Sequence, residues 1–444
     1  MKFPDEIHRI FNSFAENGYD IYLVGGAVRD MVMGKTVHDW DFTTNATPEQ
    51  IQALFPDSFY NNIFGTVGIP PKDSTFDPHE ITTYRTEREY SDFRRPDTVS
   101  WGKTLEEDLA RRDFTINAMA MDNKGVITDP WGGLRAIEGK QICAVGNPIE
   151  RFAEDALRLM RAVRIATQLG FTIEKHTREA IQTHAPLIHK IAAERVRDEL
   201  MKIFASSDPV HGIELLRETH LLNEILPELE MAFGVEQKSP QRHHIYDVGT
   251  HLLMALKECK SPDPLVRFAT LLHDIGKPST FKKQDNGVLT FYNHEVVGSR
   301  MANNIMKRLK FSKADTEKMF KLVRFHQFTV DEHQTDSAIR RFIRNVGVEN
   351  IEDMLTLRVA DRLGGGARET SWRLEEFKAR LLEVQKEPFS IRDLKINGSD
   401  VMETLNIQPG KEVGEILQKL FKKVEQKQIE NERETLLQAI KQLN

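Results

Sequence analysis

Asp39-Trp40-Asp41 sets two carboxylates two residues apart. In an extended strand, positions i and i+2 share a face, so the pair would converge and repel unless a cation sat between them. Oxygen ligands of that kind suit Mg²⁺, and a divalent ion held there could activate a hydroxyl and neutralise a leaving pyrophosphate. Just upstream runs Leu23-Val24-Gly25-Gly26-Ala27-Val28-Arg29-Asp30. Glycines between a strand and a helix let backbone N–H groups approach a phosphate, and Arg29 offers a guanidinium to the same anion. A Gly-Gly turn alone is commonly plain turn chemistry, and an acidic strand commonly faces solvent. Together, and in this order, they read as nucleotidyl transfer.

Two further constellations carry chemistry. Glu154-Asp155-Ala156-Leu157-Arg158-Leu159-Met160-Arg161-Ala162-Val163-Arg164, written on one helix, puts Ala156, Leu159, Met160 and Val163 on an apolar stripe. Glu154, Arg158 and Arg161 fall opposite, with Asp155 and Arg164 on the flanks. The plain reading is a salt-bridged amphipathic helix. The sharper one uses polarity: a carboxylate only accepts hydrogen bonds and an arginine only donates them. Cytosine and adenine both show an amino donor beside a ring-nitrogen acceptor, where uracil and guanine show a carbonyl. Asp155 with Arg158 can therefore take C or A and refuse U or G by leaving polar groups unpaired. Farther on, His273-Asp274 is accompanied by His251, His294, His326 and Asp361. Imidazoles and carboxylates spread over several helices can build one or two divalent-metal positions.

The elements that must hold these groups follow from local pattern. Tyr19 to Val24 is a β-branched and aromatic run ending at Gly25, which predicts a buried strand and a tight turn. Ala27 to Met33 has helical character with Gly34 as its stop, and His38–Thr43 and Glu80–Tyr84 look like further strands. Beyond about Gly139 the strand signals thin and helical periodicity takes over. Asp208-Pro209, Ser239-Pro240 and Ser261-Pro262-Asp263-Pro264 separate helical blocks, and Lys411 to Asn444 has a generic helical composition.

A chain of 444 residues, 40% hydrophobic and 29% charged, is long enough for several domains with sizeable cores. It holds no apolar run near the ~18 residues of a membrane span, and its N-terminus does not read as a secretory signal. Two cysteines cannot make a disulfide framework and fit a reducing cytoplasm. A net charge of −6 excludes a bulk polycation. Nucleic-acid binding would instead rest on local arginines: Arg85, Arg88, Arg94, Arg95, Arg111, Arg112, Arg158, Arg161 and Arg164.

The segment LVGGAVRDMVMGKTVHDWDF closely resembles the first motif of the class II tRNA nucleotidyltransferases, the bacterial CCA-adding enzymes and related poly(A) polymerases. Arg111–Ala118, Asp129–Gly133, Glu154–Arg164 and Glu194–Leu200 resemble that family's later motifs, in order. The resemblance implies that Asp39 and Asp41 bind catalytic Mg²⁺. Gly26, Arg29, Arg112, Asp113, Arg161 and Arg164 would contact the nucleotide, Asp113 through a ribose hydroxyl. Asp155 and Arg158 would read the base, and Asp129–Gly133 would form a hinge-like turn. Thr83–Asp97 resembles the flexible loop linked to the switch from C to A addition. The His/Asp set resembles the HD superfamily of metal-dependent phosphohydrolases. Its core ligands would be His251, His273, Asp274 and Asp361, binding a divalent transition metal, with His294 and His326 serving a second ion. His243, His244 and His333 remain as surface or RNA-facing histidines.

The implied fold is multidomain α+β: a mixed α/β, polymerase-β-like head over 1–138, a helical neck and body over 139–240, an HD domain over 241–365, and a helical tRNA-binding module over 366–444. The implied function is addition of CCA to tRNA from CTP and ATP, in the cytoplasm, by a monomer or homodimer with no membrane partner. An A-adding enzyme, a poly(A) polymerase, and an HD phosphohydrolase with an RNA-docking head are the alternatives.

Overall fold

The computed structural model describes residues 3–60, 65–71, 78–88, 98–237, 246–328, 335–384, 391–426 and 428–442. Arg94, Arg95, His243, His244, His333, Ser239-Pro240 and most of the Thr83–Asp97 loop lie outside them, as does the side chain of Arg88. The chain divides into two compact units. One comprises 1–235, 262–268 and 304–315; the other comprises 236–261, 269–303 and 316–444.

The first unit opens with α1 (Asp5–Glu16), whose Ile7, Ile10, Phe11 and Phe14 form a buried i, i+3, i+4, i+7 stripe. They pack with Leu23, Phe42, Ile51, Val67 and Ile81 into the head core. The head's strands are β1 (Ile21–Val24), β2 (Asp41–Thr44), β3 (Phe59–Tyr60), β4 (Thr66–Ile69), β5 (His79–Thr83), β8 (Ala120–Met121) and β9 (Ile127–Thr128). Among the described residues they make one sheet of order β3-β4-β5-β2-β1-β8-β9. The β2–β5 pair is parallel, with Asp41 opposite Glu80. A separate antiparallel pair, β6 (Arg85–Arg88) and β7 (Thr98–Trp101), follows.

Local signals explain the head's helices. α2 (Gly26–Val32) stops at Gly34, whose φ is +67°. α3 (Pro48–Leu54) starts from a Thr47/Gln50 capping box. α4 (Leu105–Ala110) is capped by Thr104, and α5 (Gly133–Glu138) by the Asp129 carboxylate, which accepts from Gly133 and Leu134 N–H at 2.7 and 2.9 Å. The Asp129–Gly133 segment is thus a capping turn.

Past Gly139 helices dominate, with β10 (Gln141–Ile142) and β11 (Thr172–Ile173) as a short parallel pair. The helices are α6 (Pro148–Glu154), α7 (Leu157–Leu169), α8 (Lys175–His184), α9 (Ala193–Phe204), α10 (Pro209–Glu218), α11 (Leu221–Ile225) and α12 (Pro227–Glu230). The Asp208-Pro209 signal begins α10: Asp208 caps the His211 N–H and Pro209 takes the first turn. Downstream come α13 (Val248–Glu258), α14 (Pro264–Leu272), α15 (Lys277–Thr280), the β12 (Lys282–Lys283) and β13 (Leu289–Thr290) pair, α16 (His294–Arg308), α17 (Lys313–Phe325), α18 (Asp336–Val346), α19 (Ile351–Gly364) and α20 (Trp372–Val384). Three last helices, α21 (Gly398–Leu405), α22 (Lys411–Glu425) and α23 (Arg433–Lys441), enclose Val401, Leu420, Leu436 and Ile440. The expected mixed α/β head with a helical remainder is the observed architecture.

Candidate active site and metal centre

β1 ends at Gly25, whose φ is +70°. A Cβ built there would stand 3.1 Å from Arg112 Nη1, so both backbone conformation and close approach demand glycine. The adjacent β2 begins at Asp41, half-buried, while Asp39 is exposed on the segment ahead of it. The expected strand over His38–Thr43 is therefore shifted, because pairing with β1 and β5 starts at Phe42 and Asp41. That pairing adds a carboxylate absent from the motif: Glu80, in register with Asp41. Burial first, then Glu80 and Asp39, push the Asp41 carboxyl up to about 6 against the pull of Arg112. Three carboxylates that repel in this way are a donor set suited to a divalent cation.

A polar network joins the motifs. Arg29 donates through Nε to Asp30 and through Nη1 to Asn117, each at 2.9 Å. Asn117 Nδ2 lies 3.4 Å from Asp113 Oδ1, which also accepts from the Phe114 N–H at 2.8 Å. Asp113 Oδ2 is taken by Arg161, through Nε at 2.7 Å and Nη2 at 2.5 Å. Burial would raise the Asp113 carboxyl, but Arg161 and Arg158 and these hydrogen bonds bring it down to about 2. The carboxylate expected to meet a ribose hydroxyl is thus committed to Arg161. Asp108, fully buried, holds both Arg111 at 2.7 Å and Arg112 at 3.4 Å.

The Glu154–Arg164 segment is not one helix. α6 ends at Glu154, and Asp155 has extended backbone, with its Oδ1 accepting from the Leu157 N–H at 2.9 Å as α7 begins. Ala156, Leu159, Met160 and Val163 are buried as expected. Arg158, however, is only 8% exposed and does not lie on a solvated face. It donates to the Arg151 and Arg111 carbonyls at 3.0 and 3.2 Å, and to Glu154 at 2.6 Å. The reason is that α6 and the residue after α4 close over it, supplying all three of these acceptors. Arg164 reaches Glu199 of α9 at 2.5 Å. Burial pushes the Asp155 carboxyl up, opposed by the Leu157 N–H and by Arg195, Arg158 and Arg161 around it. Asp155 is therefore a carboxylate set among guanidiniums in the same unit as the Asp39/Asp41 site.

In the second unit the predicted His/Asp set converges. His251 Nε2 is 3.2 Å from Asp361 Oδ1 and 3.3 Å from His273 Nε2. Asp274 takes His273 Nε2 at 3.3 Å on one oxygen, and His294 and His326 Nε2 at 3.1 and 3.5 Å on the other. Two groups of ligand atoms lie within 4.8 Å of one another: His251, His273, Asp361, and His273, Asp274, His326. The Nδ1 atoms of His273, His294 and His326 donate to the carbonyls of Thr270, Phe291 and Val323 at 2.7 to 2.8 Å. Those bonds orient each Nε2 toward the cluster. Burial would lower the His273 imidazole, yet Asp274 and Asp361 hold it up to about 10, so the centre draws positive charge. Gly276 lets α16 pass directly over this turn, for a Cβ there would sit 2.2 Å from the His294 carbonyl oxygen. Lys277 was missed as part of the centre; its Nζ is 2.6 Å from Asp274.

Known proteins resemble the chain along its length. Residues 21–143 match the poly(A) polymerase head-domain family, 170–233 the model for an RNA and SrmB binding site of polymerase A, and 284–440 a tRNA nucleotidyltransferase domain 2. The CCA-adding enzyme of Ligilactobacillus salivarius is 34% identical over 99% of this chain and 97% of its own. The chain belongs to the CCA-adding enzyme family of tRNA nucleotidyltransferases. The Geobacillus kaustophilus member is 45% identical over 48% of this chain and 52% of its own. The Bacillus stearothermophilus CCA-adding enzyme, solved in complex with CTP, is 29% identical, covers 100% of this chain and 98% of its own, and superposes with a TM-score of 0.74.

Family membership makes the chain a nucleotidyltransferase, of a kind that generally uses divalent metals such as Mg²⁺. Glu80, Asp108 and Asn117 are the polar groups that sequence reading passed over. The Asn117 position lay in plain view as the last polar residue of Arg111–Asn117. Among the described residues, no helix is long and apolar enough to cross a membrane.

Proposed function

We propose that this chain adds C, C and A to the 3′ end of tRNA without a template, from CTP and ATP. The network running Arg29–Asn117–Asp113–Arg161 carries the reading, because it ties the phosphate-binding turn to the helix bearing the base-reading pair. The RNA 3′-hydroxyl oxygen attacks the α-phosphorus, and the bond to the β-phosphate oxygen breaks to release pyrophosphate. Mg²⁺ held by Asp39 and Asp41, with Glu80 beside them, would lower the pKa of that hydroxyl and neutralise the pyrophosphate. Gly26, Arg29, Arg112, Arg161 and Arg164 bind the nucleotide. Asp155 accepts from the amino group of C or A while Arg158 donates to the ring nitrogen. tRNA lacking CCA, supplied with CTP alone, is the deciding substrate: a CCA-adding enzyme extends it, and an A-adding enzyme or poly(A) polymerase does not. The four-part division at 138, 240 and 365, a cytoplasmic site of action and a monomer or homodimer belong to the same reading.

A second activity is favoured by the inward-locked imidazoles of the second unit. His251, His273, Asp274 and Asp361, with His294 and His326, fit one or two divalent transition-metal ions. Ions held there would supply Lewis acidity for phosphate-ester hydrolysis. Lys277 and Arg358, both on the cavity wall, would neutralise the ester's charge. RNA carrying a 3′-phosphate or 2′,3′-cyclic phosphate, incubated with divalent metals, tests this; equal rates for wild type and a His273→Ala/Asp274→Ala variant refute it.

A further inference from the structure

Beside the His/Asp cluster opens a cavity of about 500 Å³. That size takes a small ligand, since such sites run roughly 300–1,000 Å³. Its floor is nearly closed, with His326 and Asp274 3% and 4% exposed, so a duplex could not reach the cluster but a single terminal residue could. Lys277 and Arg358 are the cationic groups of its lining, with the rings of Phe291 and Tyr292 beside them. Arg358 is held by Asp361 Oδ2 at 3.3 Å, and its guanidinium lies 5.4 Å over the Phe328 ring. Tyr292 lines the cavity and yet is 72% exposed, the most exposed large hydrophobic side chain among the described residues. It follows β13, in which Thr290, also on the wall, stands opposite Lys282 of β12. Residues directly opposite in an antiparallel pair share a face, so the exposed Lys282 lies on the same hairpin face as Thr290, outside the cavity lining itself. Asp285, in the turn, is the acidic residue of this hairpin.

An unstacked ring at the mouth, a fixed guanidinium inside and an ammonium outside form the combination that binds single-stranded nucleic acid. We propose that this wall captures the terminal nucleotide of a single-stranded RNA: Tyr292 stacks on the base, Arg358 takes an oxygen of the terminal phosphate, and Lys282 takes the preceding phosphate. The inference deepens the phosphohydrolase reading by giving its substrate class, and its test does not depend on turnover. A five-nucleotide RNA ending in 4-thiouridine 3′-phosphate is photo-crosslinked to the full chain without added metal, and the labelled peptides are mapped. Crosslinks within 281–294, reduced at least fivefold by Tyr292→Ala or Lys282→Glu and absent with a blunt duplex of the same sequence, are expected. Crosslinks confined to other segments, equal labelling of the variants, or equal labelling by an acidic peptide probe would overturn the platform. With Mn²⁺, Co²⁺, Ni²⁺ or Mg²⁺ added, Tyr292→Ala raises KM for the 3′-phosphorylated RNA roughly tenfold. The KM for glycerol 2-phosphate, which offers no ring to stack, stays where it was. If wild type hydrolyses neither ester, the hydrolase reading fails while the crosslinking result still decides the platform.

Discussion

In the first unit, Arg29, Arg158, Arg161 and Arg164 each close on a side chain of the protein: Asp30, Glu154, Asp113 and Glu199. In the second unit, His273, His294 and His326 are each held by a backbone carbonyl, and their Nε2 atoms face the two oxygens of Asp274. The first arrangement is exchangeable. A nucleotide phosphate can replace a carboxylate on a guanidinium at small net cost, because one charge-assisted pair is traded for another. The second is fixed before any ligand arrives, which lowers the ordering cost of binding an ion. The carboxylates follow the same division: Asp39 is exposed at the head site, whereas Asp274 is buried among five partners.

The comparison breaks most sharply at the metal ligands. Asp41→Ala should lower CTP incorporation by more than about 100-fold, while circular dichroism and the metal content of the second unit stay at wild-type values. Incorporation within a few-fold of wild type would remove Asp41 from the reaction. His326→Gln should do the reverse, lowering tightly bound transition metal about 10- to 100-fold in affinity with little effect on CTP incorporation. Metal content unchanged by dialysis and mass spectrometry would count against the ligand set.

Base reading is next in size. Asp155→Asn keeps the oxygen that caps Leu157 but turns part of the acceptor into a donor. Discrimination of CTP over UTP should fall by about 1–3 kcal/mol, or about 10- to 100-fold; retained discrimination would sink the role of Asp155. The smallest effect concerns the latch. The Asp113 carboxyl is depressed from its ordinary 3.8 to about 2, so its ionised form is favoured by the fold. Its stabilisation is complete above pH ~4 and is lost as pH falls through about 2, with a magnitude of about 2 kcal/mol. Urea denaturation of wild type and Asp113→Asn should therefore show a gap at pH 6 that narrows toward pH 3. A gap independent of pH would mean that Arg161 does not hold the carboxylate.

What the sequence made legible was local. The strand before Gly25, the apolar stripe of α7 and the glycine stop of α2 follow from side-chain type and spacing. The convergence of the His/Asp set was legible too, through the adjacent His273-Asp274 pair and its resemblance to the HD superfamily. Glu80 was not, since it meets Asp41 only through a parallel pairing across 39 positions, and its own neighbours carry no sign of that partner. The burial of Arg158 was hidden for a related reason: its acceptors include the Arg111 carbonyl, 47 residues away, and a backbone acceptor leaves no trace in residue type. The helix break at Asp155 was masked by a segment whose composition suits a continuous helix on both sides.

The three imidazole locks also bear on how this centre can change over generations. Thr270, Phe291 and Val323 contribute only their carbonyl oxygens to the histidines, and every amino acid carries that group. Substitution at those positions leaves the tautomer of each ligand untouched so long as the turn is kept. Sequence drift at those three positions is thereby uncoupled from the orientation of the imidazoles.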